Sequence, residues 1–91
     1  MTKAEIVNEI AKKTGIEKSV VLTTVESFMD VVKTSLSNQE PVYLRGFGSF
    51  IIKHRAEKTA RDIHKKKTIT IPAHNIPAFK PAKTFINDVK K

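Results

Sequence analysis

Apolar residues recur at spacings of three and four through the first part of the chain, which is the pattern of amphipathic helices. The first predicted helix opens at a capping box formed by Thr2 and Glu5, in which each residue satisfies the other's backbone amide, and it ends at Gly15. The second runs from about Lys18 to about Ser37. Two such helices joined by a short turn predict a helical hairpin, with apolar positions at Ile6, Val7, Ile10, Ala11, Val21, Val25, Phe28, Met29, Val32 and Leu36.

After Pro41 the pattern changes to runs rich in β-branched and aromatic residues, which predict strands. Val42 to Arg45 and Ser49 to His54 are two strands around a Gly46–Gly48 turn, and Thr68 to Ile71 is a third.

Prolines shape the rest of the chain. Pro72 and Pro77 are expected to interrupt a regular ladder, which suits an edge strand returning to the body. Pro81 is expected at the first position of a last helix, from Ala82 to about Lys90.

The stretch between two of these strands, Lys53 to Ile71, has almost nothing to bury. It carries seven basic and two acidic residues, and its apolar side chains between Lys53 and Thr68 are Ala56, Ala60 and Ile63. Strands joined by such a segment predict a hairpin arm that extends into solvent and lies on a polyanion. The tip, residues 62–67, contains no Gly and no Asn-Gly pair, so no tight turn is assigned there.

These elements predict an α+β fold in a single domain of residues 1–91. Residues 1–41 are the helical part, residues 42–81 hold a three-stranded β-sheet with an arm at about 53–71, and residues 82–91 form a short C-terminal helix. A chain of 91 residues with a long unpacked arm has little left for a core, and it has no cysteine for a disulfide. Oligomerisation is therefore expected.

Charge is distributed unevenly along the chain. Residues 1–41 carry five basic and six acidic residues, for a net charge of −1, whereas residues 42–91 carry twelve and three, for +9. This asymmetry predicts one face that meets a polyanion.

Enzyme and membrane classes find no support in the sequence. The three histidines, His54, His64 and His74, have no partner at metal-ligand spacing, and no nucleophile motif or paired carboxylates are visible, so no catalytic site, metal or cofactor is expected. No apolar run approaches the roughly 20 residues of a membrane span, and no signal-peptide pattern opens the chain. A cytoplasmic location is the expectation.

The combination of Gly46-Phe-Gly-Ser-Phe50, the basic stretch, Ile69-Thr-Ile71, Phe79 and Lys83 resembles the HU family of bacterial nucleoid proteins, to whose superfamily integration host factor also belongs. The resemblance covers the chain end to end. It implies an intertwined dimer whose arms wrap the DNA minor groove, with a homodimer expected and a heterodimer with a paralogue possible. In that dimer residues 1–41 would form the helical dimerisation base and residues 42–81 the β-saddle. It also implies a dimer core at Phe28, Phe47, Phe50 and Phe79, and DNA contacts at Lys3, Lys53, Arg55, Lys58, Arg61, Lys80 and Lys83.

The arm departs from the family pattern at two places. Where the family has Arg-Asn-Pro, this chain has Arg61-Asp-Ile63, and where the family has Thr-Gly, it has Lys65-Lys66. Ile63 takes the place of the proline that wedges between base pairs, and isoleucine is among the side chains that can do so. Lys65, Lys66 and Lys67 either attract phosphates or form a solvated tip.

The predicted function is binding, bending and compaction of double-stranded DNA without sequence preference, in the nucleoid. No recognition helix presents base-reading side chains near the basic region. Two alternatives stay open: a site-preferring bending protein of the integration host factor type, and a general RNA or polyanion binder. With one Tyr and no Trp, a base-stacking platform for RNA is not apparent, which leaves RNA as a secondary ligand.

Overall fold

The computed structural model describes residues 1–62 and 67–90, with residues 61, 62 and 67 as backbone alone. The elements in chain order are α1 (Lys3–Thr14), α2 (Lys18–Ser37), β1 (Val42–Leu44), β2 (Gly48–Arg55), β3 (Lys58–Asp62), β4 (Lys67–Ile71), β5 (His74–Pro81) and α3 (Lys83–Val89). The predicted α+β class is confirmed.

The two long helices begin and end as the sequence predicts. The Thr2 hydroxyl accepts a hydrogen bond from the Glu5 backbone N–H at 3.2 Å and donates to the Glu5 carboxylate at 3.3 Å, which caps α1. Gly15 ends α1 in the left-handed conformation, at φ 74°, and donates its N–H to the carbonyl of Ala11. α2 then packs along α1 as a helical hairpin.

The strands form two separate antiparallel sheets. The body sheet has the order β1-β2-β5, and the second sheet pairs β3 with β4; we call this second pair the arm. The body ladder runs to the pair Arg55–His74, and the arm ladder starts at Lys58–Ile71. Residues 56–57 and 72–73 belong to neither ladder and separate the two sheets. Lys53 and Arg55 precede this break and pair with residues of β5, so they belong to the body sheet and not to the arm.

Two expectations about prolines were wrong in detail. Pro72 does lie between ladders, but Pro77 is part of β5 and faces Ile52, because β5 is at the sheet edge, where a proline without an N–H is tolerated. Pro81 does not open the last helix. It ends β5 opposite Gly48, and Ala82, with extended backbone, is the N-terminal cap of α3.

The single chain is elongated and has a small core. Its radius of gyration is 18.7 Å, whereas a compact chain of this length is expected at about 12 Å. Val7, Val21 and Val32 form the buried apolar core between the helices, while many large apolar side chains stay exposed. Within the described residues, no helix is both long and apolar enough to cross a membrane.

Candidate nucleic-acid interface

The body sheet has two chemically different faces. Residues directly opposite each other on neighbouring strands share a face, and successive residues alternate between faces. Lys53 and Arg55 therefore lie on one face with their partners on β5, and Lys80 joins them through its partner Ser49. We call this the basic face. Its polar members are Tyr43, Ser49, Lys53, Arg55, His74 and Lys80, and Ile51, Ile76 and Ala78 lie between them on the same face.

The opposite face carries an aromatic cluster. The Phe79 ring centroid lies 5.0 Å from that of Phe50 and 5.0 Å from that of Phe47, and Phe47 stacks on Phe85 of α3 at 5.4 Å. Aromatic pairs at these separations are favourable beyond the area they bury. The cluster thus brings together three of the four phenylalanines predicted for the dimer core, and the described aromatic contacts do not include Phe28.

Gly48 makes this packing possible. A Cβ built on Gly48 would lie 2.5 Å from the Phe79 ring and 2.6 Å from the Lys80 carbonyl oxygen. Gly46, in contrast, is needed for its backbone, since its φ is 80° and a Cβ there would meet nothing within 4 Å. The two glycines of the turn therefore serve different purposes.

The same turn fixes α3 and its lysine beside the basic face. The Ala82 N–H donates to the Phe47 carbonyl at 2.9 Å, and the Thr84 hydroxyl donates to the Gly46 carbonyl at 3.4 Å. A shallow groove next to the turn has cationic and hydroxyl-bearing side chains from Tyr43, Arg45, Ser49, Lys80 and Lys83, and the rest of its lining is glycine or apolar. Lys80 and Lys83, predicted DNA contacts, thus line one groove.

The arm places further predicted contacts away from the body. Lys58 pairs with Ile71 at its base, and Arg61 and Lys67 occupy backbone positions toward its far end. Ile69 and Ile71 expose 46 % and 39 % of their surface there. The predicted contacts Ile63, Lys65 and Lys66 lie outside the described residues, which include only the two ends, 62 and 67, of the predicted tip.

Lys3 belongs neither to the basic face of the body sheet nor to the arm. It begins α1, and its Nζ lies 3.6 Å from a carboxylate oxygen of Glu26 on α2, with both side chains half exposed. An exposed ion pair contributes little to stability, about 0–1 kcal/mol. The ion pair nevertheless competes with any phosphate for the Lys3 charge.

Two histidines lie at the junction of body and arm. His54 Nδ1 is 3.0 Å from Asn75 Oδ1, and the Asn75 amide donates to Gln39 Oε1 at 3.4 Å, which ties this end of the sheet to the end of α2. His74 Nδ1 is 3.0 Å from the Pro72 carbonyl oxygen. Among the described residues no three side chains are grouped as metal ligands.

The sequence reasoning missed three residues of this surface. Tyr43 is 74 % exposed on the basic face, Arg45 lines the groove with Lys80 and Lys83, and His74 pairs with Arg55. The alternation of side chains along the Val42–Leu44 strand was a sufficient signal for Tyr43. Its neighbours Val42 and Leu44 are apolar and face inward, so Tyr43 must face outward. The partner of Arg55 required the strand register, which the sequence does not provide.

Comparison with known proteins supports the same interpretation of the fold. The family model described as bacterial DNA-binding protein matches residues 1–90. The chain is 40 % identical to the DNA-binding protein HRL53 of Rhizobium leguminosarum over 91 % of each chain. It is 38 % identical to the DNA-binding protein HU of Thermus thermophilus, over 100 % of this chain and 94 % of that protein.

A solved structure extends the likeness to three dimensions. An Anabaena HU–DNA cocrystal structure matches with a TM-score of 0.94 at 29 % identity, over 99 % of this chain and 98 % of that one. The chain therefore belongs to the bacterial DNA-binding protein family, and the predicted membership in the HU family is confirmed.

Proposed function

We propose that this protein binds double-stranded DNA with little sequence preference, as a dimer of two such chains, and bends, wraps or compacts it with its two arms. The observation that carries the proposal is the segregation of charge on the body sheet. Lys53, Arg55 and Lys80 share one face, while the aromatic cluster occupies the other. Lysine and arginine neutralise phosphates without reading bases, and released counterions drive such binding.

The dimer follows from what the single chain leaves exposed. Phe28, Phe47 and Phe79 are 44 %, 46 % and 38 % exposed, although they are the kind of side chain that forms cores. Apolar patches of this kind mark interaction surfaces. A second copy of the chain covers them in our proposal, which makes Phe28, Phe47, Phe50 and Phe79 the dimer core and residues 1–41 the dimerisation base. Two identical chains suffice, and pairing with a paralogue would use the same surface.

The arm adds the bending step. An extended two-stranded ribbon with exposed Ile69 and Ile71 fits a minor groove, where apolar side chains can part base steps and kink the duplex. Ile63 as the wedge remains a prediction. The phosphate contacts of the proposal are Lys3, Lys53, Arg55, Lys58, Arg61, Lys65, Lys66, Lys67, Lys80 and Lys83.

Three further parts of the proposal follow from this role. It assigns the chain no catalytic step, no metal and no cofactor. A protein that compacts bacterial DNA acts where that DNA lies, so we place it in the nucleoid of the cytoplasm. Residues 1–91 act as one domain. Residues 42–81 supply the saddle and the arm, and residues 82–91 supply the C-terminal helix.

The test is binding to one labelled duplex across a salt series, with an unrelated duplex and a structured RNA as competitors. The proposal predicts a steep salt dependence, equal competition by both duplexes and weak competition by RNA. A large preference for one duplex would favour a site-preferring protein of the integration host factor type. Stronger competition by RNA would show that the basic face serves a different polyanion.

A further inference from the structure

His74 occupies the last position of the body ladder on the basic face. It lies directly across from Arg55, the final residue of β2, and the next residues of both strands leave the ladder. Any phosphate backbone that passes from the saddle to the arm, as the proposed function requires, crosses this pair. His74 is exposed there.

The hydrogen bond of His74 defines what its ring can still do. A carbonyl oxygen only accepts, so the contact at 3.0 Å from Nδ1 to the Pro72 oxygen assigns the proton to Nδ1. The described residues give its Nε2 no hydrogen-bond partner. A neutral ring with this tautomer presents a lone pair at Nε2, which repels a phosphate oxygen, whereas a protonated ring presents a second N–H donor.

The charged groups around this end of the body sheet are mostly cations. Across the ladder lies Arg55, with Lys53 farther along β2 on the same face, and Lys80 lies on His74's own strand. Glu57, two residues after Arg55, is the acidic residue of this junction, and Lys58 follows it. A phosphate laid over the Arg55–His74 pair brings a negative charge to the ring, and a nearby anion favours the protonated form of an imidazole.

We propose that His74 is a DNA-contact residue that binds phosphate in its protonated form, so that DNA binding takes up a proton at each arm junction. This inference rests on the proposed function and adds proton linkage to it. Because binding and protonation favour each other reciprocally, affinity for DNA rises as pH falls. His54 supplies the contrast, since it lies on the opposite face and its Nδ1 is held by Asn75.

The experiment measures the affinity of the full chain for a short labelled duplex at about pH 5.5 and about pH 8, where imidazoles exchange protons, at constant ionic strength. Every sample also carries His64→Gln, so that His54 and His74 are the only imidazoles left in the protein. We expect binding to be about threefold to tenfold tighter at the lower pH, and His74→Gln to abolish most of this difference. His54→Gln should retain it.

Two further readouts separate proton linkage from loss of structure. His74→Lys, with a permanent charge, should bind tightly at both pH values. Calorimetry of DNA binding by the His64→Gln protein in two buffers of different ionisation enthalpy should reveal proton uptake that the additional His74→Gln change removes. A full pH response in His74→Gln, or no response in the protein with His74 present, would overturn the inference. Retained binding at the higher pH would at the same time leave the proposed function standing.

Discussion

The two ends of β2 lie on one continuous strand and have opposite surroundings. From Gly48 to Ile52 its residues are buried or half-buried, with Phe50 packed in the aromatic cluster, and from Lys53 to Arg55 they are exposed. The first end is held by ring contacts and by Gly48, which leaves no room for a side chain. The second end has one neighbouring strand and a surface of cations.

This difference shows how a small chain combines a rigid body with a surface that contacts DNA. Stability is expected to concentrate in the body sheet and the helical base, where apolar contacts are dense. The arm has cross-strand pairs and exposed side chains, so it belongs to the part of the fold that opens most easily. Substitutions at the two ends of β2 should therefore affect different properties.

The largest expected effect is a difference in stability between variants of two apolar residues that are equally exposed in the single chain. Phe47 and Ile69 are each 46 % exposed in the single chain, but only Phe47 is expected to be covered by a second chain. Phe47→Ala should lower the free energy of unfolding by about 3 kcal/mol or more and weaken the dimer. Ile69→Ala should cost less than about 1 kcal/mol. Denaturant unfolding and sedimentation check both, and an unaltered Phe47→Ala dimer would show that the core is misplaced.

The next effect distinguishes the two glycines of the turn. Gly48→Ala inserts a methyl group against the Phe79 ring and the Lys80 carbonyl, which should destabilise the chain by about 1–3 kcal/mol. Gly46→Ala strains only a left-handed backbone, at a cost of about 1–2 kcal/mol. Thermal unfolding measures both. Because Gly48 packs against the Phe79 ring, Gly48→Ala should also alter the near-ultraviolet spectrum of the phenylalanines, whereas Gly46→Ala should leave it nearly unchanged.

At the basic end of β2, substitutions should change DNA binding with little change in stability. Arg55→Ala should weaken binding to every duplex and reduce the slope of log affinity against log salt by about one for each phosphate that the variant no longer neutralises. Lys13→Ala removes an equal charge from the last turn of α1 and should leave the slope nearly unchanged. A salt series on both variants makes this measurement. Equal slopes for Arg55→Ala and wild type would remove Arg55 from the interface.

The smallest expected effect concerns the ion pair of the helical base. Glu26→Gln releases Lys3 while retaining the shape of the side chain, and the free energy of unfolding should change by less than about 1 kcal/mol. If Lys3 contacts phosphate, this variant should bind long duplexes somewhat more tightly and with a steeper salt slope. Lys3→Ala should then erase that gain in the double variant, and a gain that survives would assign it to another cation.

Much of this architecture was predictable because its signals are local. The helix limits at Gly15 and Ser37, the glycine turn and the basic arm follow from periodicity, backbone freedom and charge. The errors came from long-range pairing. Pro77 lies within a ladder because β5 is an edge strand, and Pro81 belongs to that strand because it faces Gly48. The contribution of His74 to the surface also depends on register.

The division between body and arm is tested most directly by removing the arm. Replacing residues 58–71 with Asn-Gly, a pair that favours tight hairpin turns, leaves both strands of the body ladder in place. End-to-end fluorescence transfer on a short duplex then measures bending. We predict a protein that still folds and dimerises, binds the duplex more weakly and no longer brings its ends together. An armless protein that bends DNA as far as wild type would contradict this division of roles.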